Sequence, residues 1–144
     1  YFDALDAHHG GDAREPGARA ARVRTLLRGA EVALLETLLA YLGARRDVRL
    51  LGPVVAQQRA ATVSFVTADI EPGAVIRELA ARGFMAGNGN FYAVRLLEGM
   101  QVDPDRGAVR LSLLHYNSAR EVAGVIAALD EILGPRSVAR AASR

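Results

Sequence analysis

The sequence contains no cysteine and no lysine. The first absence excludes disulfides, thiolate metal sites and a cysteine nucleophile. The second means that all 18 basic residues are arginine, so no side-chain amine is present to form a Schiff base with an aldehyde cofactor. Arginine and alanine enrichment of this kind also follows from a GC-rich genome. No uninterrupted apolar run reaches about 18 residues, so no transmembrane helix is expected. No signal peptide is visible, and a cytoplasmic location is the expectation. Net charge is small at +2. The pI near 9.5 comes from arginines spread along the chain, which argues against a nucleic-acid or membrane partner.

Hydrophobic residues make up 51% of 144 positions, enough for one domain or one compact module with an appendage. The first residue is Tyr1 instead of methionine, and the chain is expected to be a piece of something longer. Residues 1–15 read as a loop or linker. Within them "HHGGD" (8–12) reads as a solvated loop, because its paired histidines have no ligand partner at helical spacing. Residues 16–44 read as one long helix. Pro16 suits the first turn, and Val23, Leu27, Ala30, Leu34, Leu38 and Tyr41 recur by threes and fours. Leu26, Leu35, Leu39 and Leu42 widen that stripe, and Gly43 is the stop.

Residues 45–134 read as an α+β unit. "DVRLLGP" (47–53) and "AATVSFVT" (60–67) are strands, the second placing Val63 and Phe65 on one face and Thr62, Ser64 and Val66 on the other. "EPGAVIRELAARG" (71–83) is a helix, with Asp69 and Glu71 as candidate caps and Gly83 at its end. Phe84 to Ala86 reads as a strand edge, and "FYAVRLLEGM" (91–100) as a short helix. "VDPDRG" (102–107) has turn chemistry. "AVRLSLL" (108–114) alternates, with Arg110 and Ser112 opposite Val109, Leu111 and Leu113. "NSAREVAGVIAALDEILG" opens with Ser118 and Glu121 in capping-box spacing and ends at Gly134-Pro135. Residues 135–144 read as a disordered tail. The fold expected is α+β, a small mixed or antiparallel sheet with helices packed on one face.

Two features carry the functional reading. The segment "GFMAGNGNF" (83–91) is rich in glycine but follows a helix, and its spacing matches neither dinucleotide nor Walker loops. It reads as a tight turn or as the rim of a site completed elsewhere. Arg110 sits mid-strand on the face away from the apolar one. It points at solvent, at another domain, or at an anion that its guanidinium grips as a fork.

"AVRLSLLHYNSAREVAGVIAALDEIL" resembles the closing segment of class V pyridoxal-phosphate aminotransferases, through Arg110, Ser112, Tyr116, Asn117, Ser118 and Glu121. "QRAATVSFV" and "LLETLLAYLGARRDVRLLGP" are similar to earlier parts of the same small domain. "GNGNFYAVRLLEGM" is similar to a segment of the cysteine-desulfurase-like subgroup. The likeness runs from about residue 20 to 134. It implies the C-terminal small domain of a fold-type I enzyme that works as a homodimer on an amino acid, with residues 16–44 as an inter-domain helix. It further implies that Arg110 binds the substrate carboxylate and that the loop from Asn88 through Gly89 and Asn90 to Phe91 reaches over the cofactor pocket; within it the uncharged amide of Asn90 is read as a second substrate contact that orients a polar substrate. Pyridoxal phosphate would be held by a large domain of the same parent chain, none of it covalently by this chain. No catalytic residue is expected here. The chain lacks the desulfurase cysteine, and Asn90 stands where the subgroup often has histidine. That leaves transamination, β-elimination or another reaction at the α-carbon. The competing reading is a free-standing, non-catalytic α+β module that binds a small anionic ligand or a protein partner. Among the remaining polar residues, His115 is expected to pack beside the strand end, and Tyr116 and Asn117 to fix the strand-to-helix turn.

Overall fold

The computed structural model describes residues 1–11 and 15–135. The expected tail at 135–144 therefore lies, apart from Pro135, outside the described residues. Helices α1 (Phe2–His8) and α2 (Pro16–Gly43) are followed by β1 (Val48–Leu51), a 3-10 turn (Ala56–Gln58) and β2 (Thr62–Thr67). Then come α3 (Pro72–Ala81), β3 (Gly87–Gly89), α4 (Val94–Gly99), β4 (Ala108–Ser112) and α5 (Ala119–Leu133). The four strands form one sheet, antiparallel throughout, in the order β1-β2-β4-β3.

Register follows from the alternation. Phe65 pairs with Leu50 and Val109, and Val63 with Leu111, so one face of the sheet is apolar across its centre. Against it pack α2 through Leu35, Leu38 and Leu42, α3 through Val75 and Leu79, and α5 through Val122 and Leu129. Phe65, Val63 and Val109 have no solvent exposure in this layer. Burying a side chain of that class is worth about 1.5–3 kcal/mol. The second face carries Thr62, Ser64, Arg110 and Ser112. It is covered only in part, by α4 and the segment after it, where Leu97 and Val102 pack on Leu51 and Ala108. The α+β class is as expected. Among the described residues the short α4 is the helix that packs on the second face.

The long helix divides in two. Its C-terminal half is buried on the sheet, from Leu34 to Leu42. Its N-terminal half runs beside α1, where Arg22 pairs with the buried Asp6 at 2.9 Å and Val23 is fully enclosed. The first residues, read as loop, thus include a helix that packs beside the start of α2. His8 ends that helix.

At its far end α2 is tied down by Arg45, whose side chain is completely buried. The guanidinium grips Asp47 as a fork, Nε to Oδ1 at 3.0 Å and Nη2 to Oδ2 at 2.6 Å. It also donates to Asp130 at 3.0 Å and to the Gly134 carbonyl at 3.2 Å, closing the C-terminus of α5. The Tyr41 hydroxyl donates to the same Asp130 oxygen at 3.0 Å. Burial first, then that hydrogen bond, pushes the Tyr41 phenol up to about 12.

Three local readings change. Phe84–Ala86 is not a strand: Phe84 packs into the helix layer, and pairing begins at Gly87. The helix expected over 91–100 starts only at Val94, because Phe91 and Tyr92 both take positive φ, at 51° and 60°. Glu71 occupies the N-cap position of α3 but makes no capping bond; its carboxylate pairs with Arg106 at 3.1 Å. The capping box of α5 forms as expected, Glu121 N–H donating to Ser118 Oγ at 3.2 Å and Ser118 N–H to Glu121 Oε2 at 2.7 Å.

Candidate functional site

Strand β4 lies between β2 and β3, and Arg110 is its middle residue. Its neighbours across the ladder are Ser64 on β2 and Gly87 on β3. The side chain rises on the second face of the sheet, exposed, and its Cζ lies 4.0 Å from the centre of the Phe91 ring. Among the described residues it makes no ion pair. Other arginines around the sheet are committed: Arg106 to Glu71, Arg59 to the carbonyls of Pro53 and Thr62, Arg49 to those of Met100 and Gln101. A guanidinium with no anion beside it, in a cleft, has the chemistry of a carboxylate receptor.

The cleft holds about 340 Å³. Arg110, Ser64 and Asn90 supply its polar groups. Phe91, Leu51, Leu97, Met100 and Ala108 supply its apolar walls. One edge is a turn built by Asn90. Its carbonyl accepts from Ala93 N–H at 2.8 Å, and its side-chain Oδ1 accepts from Tyr92 N–H at 3.1 Å. The two residues between, Phe91 and Tyr92, have positive φ, the pattern of a type I′ turn. Neither is glycine, and a left-handed non-glycine residue costs on the order of 1–3 kcal/mol. Backbone strain of this kind gathers at ligand sites.

The glycines at the other edge allow close approach. A Cβ on Gly87 would lie 3.4 Å from the Phe91 ring. A Cβ on Gly107 would come within 2.6 Å of the Gly89 backbone, and both residues have positive φ. The turn 103–107 therefore presses directly on β3, and only glycine fits there.

The structure brings Arg110, Asn90 and Phe91 into one cleft. It places Gly89 in β3, opposite Ala108, at a position of the same face. Asn88 is different. It pairs with Val109, so it belongs to the helix-covered face, and its side-chain nitrogen is 3.6 Å from where a Gly73 Cβ would stand. Sequence reading did not find Ser64 as a neighbour of Arg110. The alternation of β2 put it on the polar face, but only the β2–β4 register brings the two together.

The residues after β4 build the turn into α5. Asn117 Oδ1 accepts from Leu114 N–H at 2.7 Å, and Asn117 N–H donates to the Leu114 carbonyl at 2.9 Å. His115 is half-buried, its Nε2 hydrogen-bonded to the Tyr1 hydroxyl. Tyr116 projects into solvent, its ring edge-on to His115.

One guanidinium and one uncharged amide suit a carboxylate. The chain has no lysine to form a Schiff base with pyridoxal phosphate, and among the described residues the cleft is lined by no cation besides Arg110. No group of three or more histidine, aspartate or glutamate side chains that could hold a metal ion occurs among the described residues. Nor is any helix there long and apolar enough to cross a membrane.

The family model for class-V aminotransferases matches residues 27–125. The chain is 30% identical over 106 residues to the aminotransferase-like protein FGM3 of Gibberella zeae, covering 72% of this chain and 26% of that protein. Its fold is similar to that of apo cysteine desulfurase from Thermococcus onnurineus NA1, with a TM-score of 0.69 at 24% identity over 80% of this chain and 30% of that one. It is also similar to cysteine desulfurase CsdA of Escherichia coli, with a TM-score of 0.65 at 20% identity over 86% of this chain and 32% of that one. The chain thus spans about a quarter of the curated relative's length and about a third of each solved structure.

Proposed function

Because the chain belongs to the class-V aminotransferase family, we propose that it is the part of a pyridoxal-phosphate-dependent, cysteine-desulfurase-like enzyme that binds the carboxylate of an amino acid substrate. The observation that carries this is Arg110, exposed in a cleft beside the strained turn at 90–93, without an anionic partner among the described residues. Arg110 would take the carboxylate through its paired N–H groups. Asn90 would turn its remaining amide donors toward a polar substituent of the substrate, its Oδ1 being used by Tyr92 N–H. Asn88 and Gly89 would serve the loop through the backbone, as rungs that fasten it to β4.

The parent's remaining length would supply the lysine and the phosphate contacts for the cofactor. When bound, the cofactor provides the electron sink for chemistry at the α-carbon. This chain's task is to hold the substrate in one orientation and to wall off one side of it from water. We place the full enzyme in the cytoplasm as a homodimer.

The test is steady-state kinetics of the full-length parent against a panel of amino acids. Losing a charge-assisted contact of this kind costs about 1.5–3 kcal/mol, or roughly ten- to a hundred-fold in binding. Arg110→Ala is expected to raise KM by that factor for the preferred amino acid while the cofactor remains bound. Unchanged kinetics would refute the assignment. Asn90→Ala is expected to alter turnover or substrate choice more than cofactor retention.

A further inference from the structure

We propose that Phe91 is a positioning residue for Arg110: its ring holds the guanidinium over the cleft floor so that the N–H fork stays turned toward an incoming carboxylate. The inference rests on the carboxylate reading of Arg110 and adds a residue to it. The central carbon of the guanidinium stands 4.0 Å from the ring centre. At that separation the guanidinium stands over the ring well within cation–π range, and its flat group can lie against the ring face. Stacking occupies only the face of the guanidinium. The donors lie in its plane and stay available.

The ring itself is fixed from three sides. Its backbone is locked at positive φ by the two Asn90 hydrogen bonds, to Tyr92 N–H and Ala93 N–H. Beneath it the missing side chain of Gly87 leaves 3.4 Å between a hypothetical Cβ and the ring. On the open side is Arg110 itself. A long flexible side chain on an exposed sheet face otherwise loses rotamer freedom when it binds an anion. Phe91 removes that freedom beforehand, which is preorganisation in the free protein.

The experiment uses this chain with arginine Nε–H groups observed by NMR, and propionate as the probe with propionamide as its neutral control. Ring stacking is expected to displace the Arg110 Nε–H resonance upfield. Phe91→Leu should abolish the displacement and weaken propionate binding about two- to five-fold, the factor that corresponds to an exposed cation–π contact. Phe91→Tyr should restore both, which loss of mere bulk or fold does not allow. Gly87→Ala, which crowds the ring, should shift the same resonance. An Arg110 signal unmoved in Phe91→Leu, or wild-type propionate affinity in that variant, overturns the positioning role while Arg110→Gln still abolishes binding. Equal propionate binding by wild type and Arg110→Gln overturns the carboxylate reading and the positioning role with it.

Discussion

Replacing Arg45 by methionine removes a buried charge that ties three elements together. The guanidinium is completely buried, whereas its partners Asp47 and Asp130 keep 21% and 46% of their side-chain surface in water. Breaking a buried ion pair from one side costs about 3–5 kcal/mol, chiefly from the stranded partner. Here water reaches both stranded carboxylates, so the cost falls at or just below the bottom of that range, about 2–3 kcal/mol. In a chain of this size that is a fall in Tm of about 4–12 °C. Urea unfolding followed by far-UV circular dichroism is the assay, with a lower midpoint and an unchanged slope expected. Arg45→Lys should recover part of the loss, since an ammonium keeps the charge but cannot fork onto Asp47. The Arg45 hydrogen bond also holds the Asp47 carboxyl below its ordinary value, and in Arg45→Met that value should rise. An Arg45→Met midpoint within error of wild type would refute the reasoning, as would a lysine variant no better than methionine.

Gly29→Ala should stabilise the chain by about 0.5–1 kcal/mol in the same assay, because a Cβ there meets nothing and helical glycine is costly. Gly107→Ala should destabilise by at least about 1–3 kcal/mol, through positive φ and the clash with Gly89, and should speed amide exchange in β3. Tyr41 sets an alkaline limit. Its folded phenol titrates near 12, above the unfolded value of 10.0, so its contribution is whole below pH 10 and is lost as pH rises toward 12. Tyr41→Phe should flatten stability against pH in that window while leaving stability at neutral pH within about 1–2 kcal/mol.

Much of the helix layer was legible because its signals are local. The stripe of α2, the alternation of β2 and β4, and the Ser118–Glu121 capping box each lie within a few residues of themselves. The site was legible in part: the period of two put Arg110 on the uncovered face, and the turn residues marked 88–91 as special. What sequence reading missed depends on partners far along the chain. Gly87–Gly89 has no side-chain pattern of a strand and becomes one because β4 offers an edge. Asn88 looks like a neighbour of Asn90, yet one residue of register against Val109 puts it on the opposite face. Arg45 is one of two adjacent arginines, and nothing nearby says that it will meet Asp130, 85 residues on. The first helix hid behind glycines and histidines that read as loop.

The strand order has a consequence for how the chain comes together. Among the described strands β4 comes latest in the sequence but sits inside the sheet, with β2 on one side and β3 on the other. Until residues 108–112 emerge, β2 has one open edge and β3 has no partner at all. No partial chain can therefore hold a three-residue strand of Gly-Asn-Gly, or the turn it anchors. The cleft is complete only when the strand bearing Arg110 slots between its neighbours. A shorter nascent chain would display the unpaired edge of β2, the kind of surface on which chains aggregate. Assembly of the cleft and completion of the sheet are thus the same event.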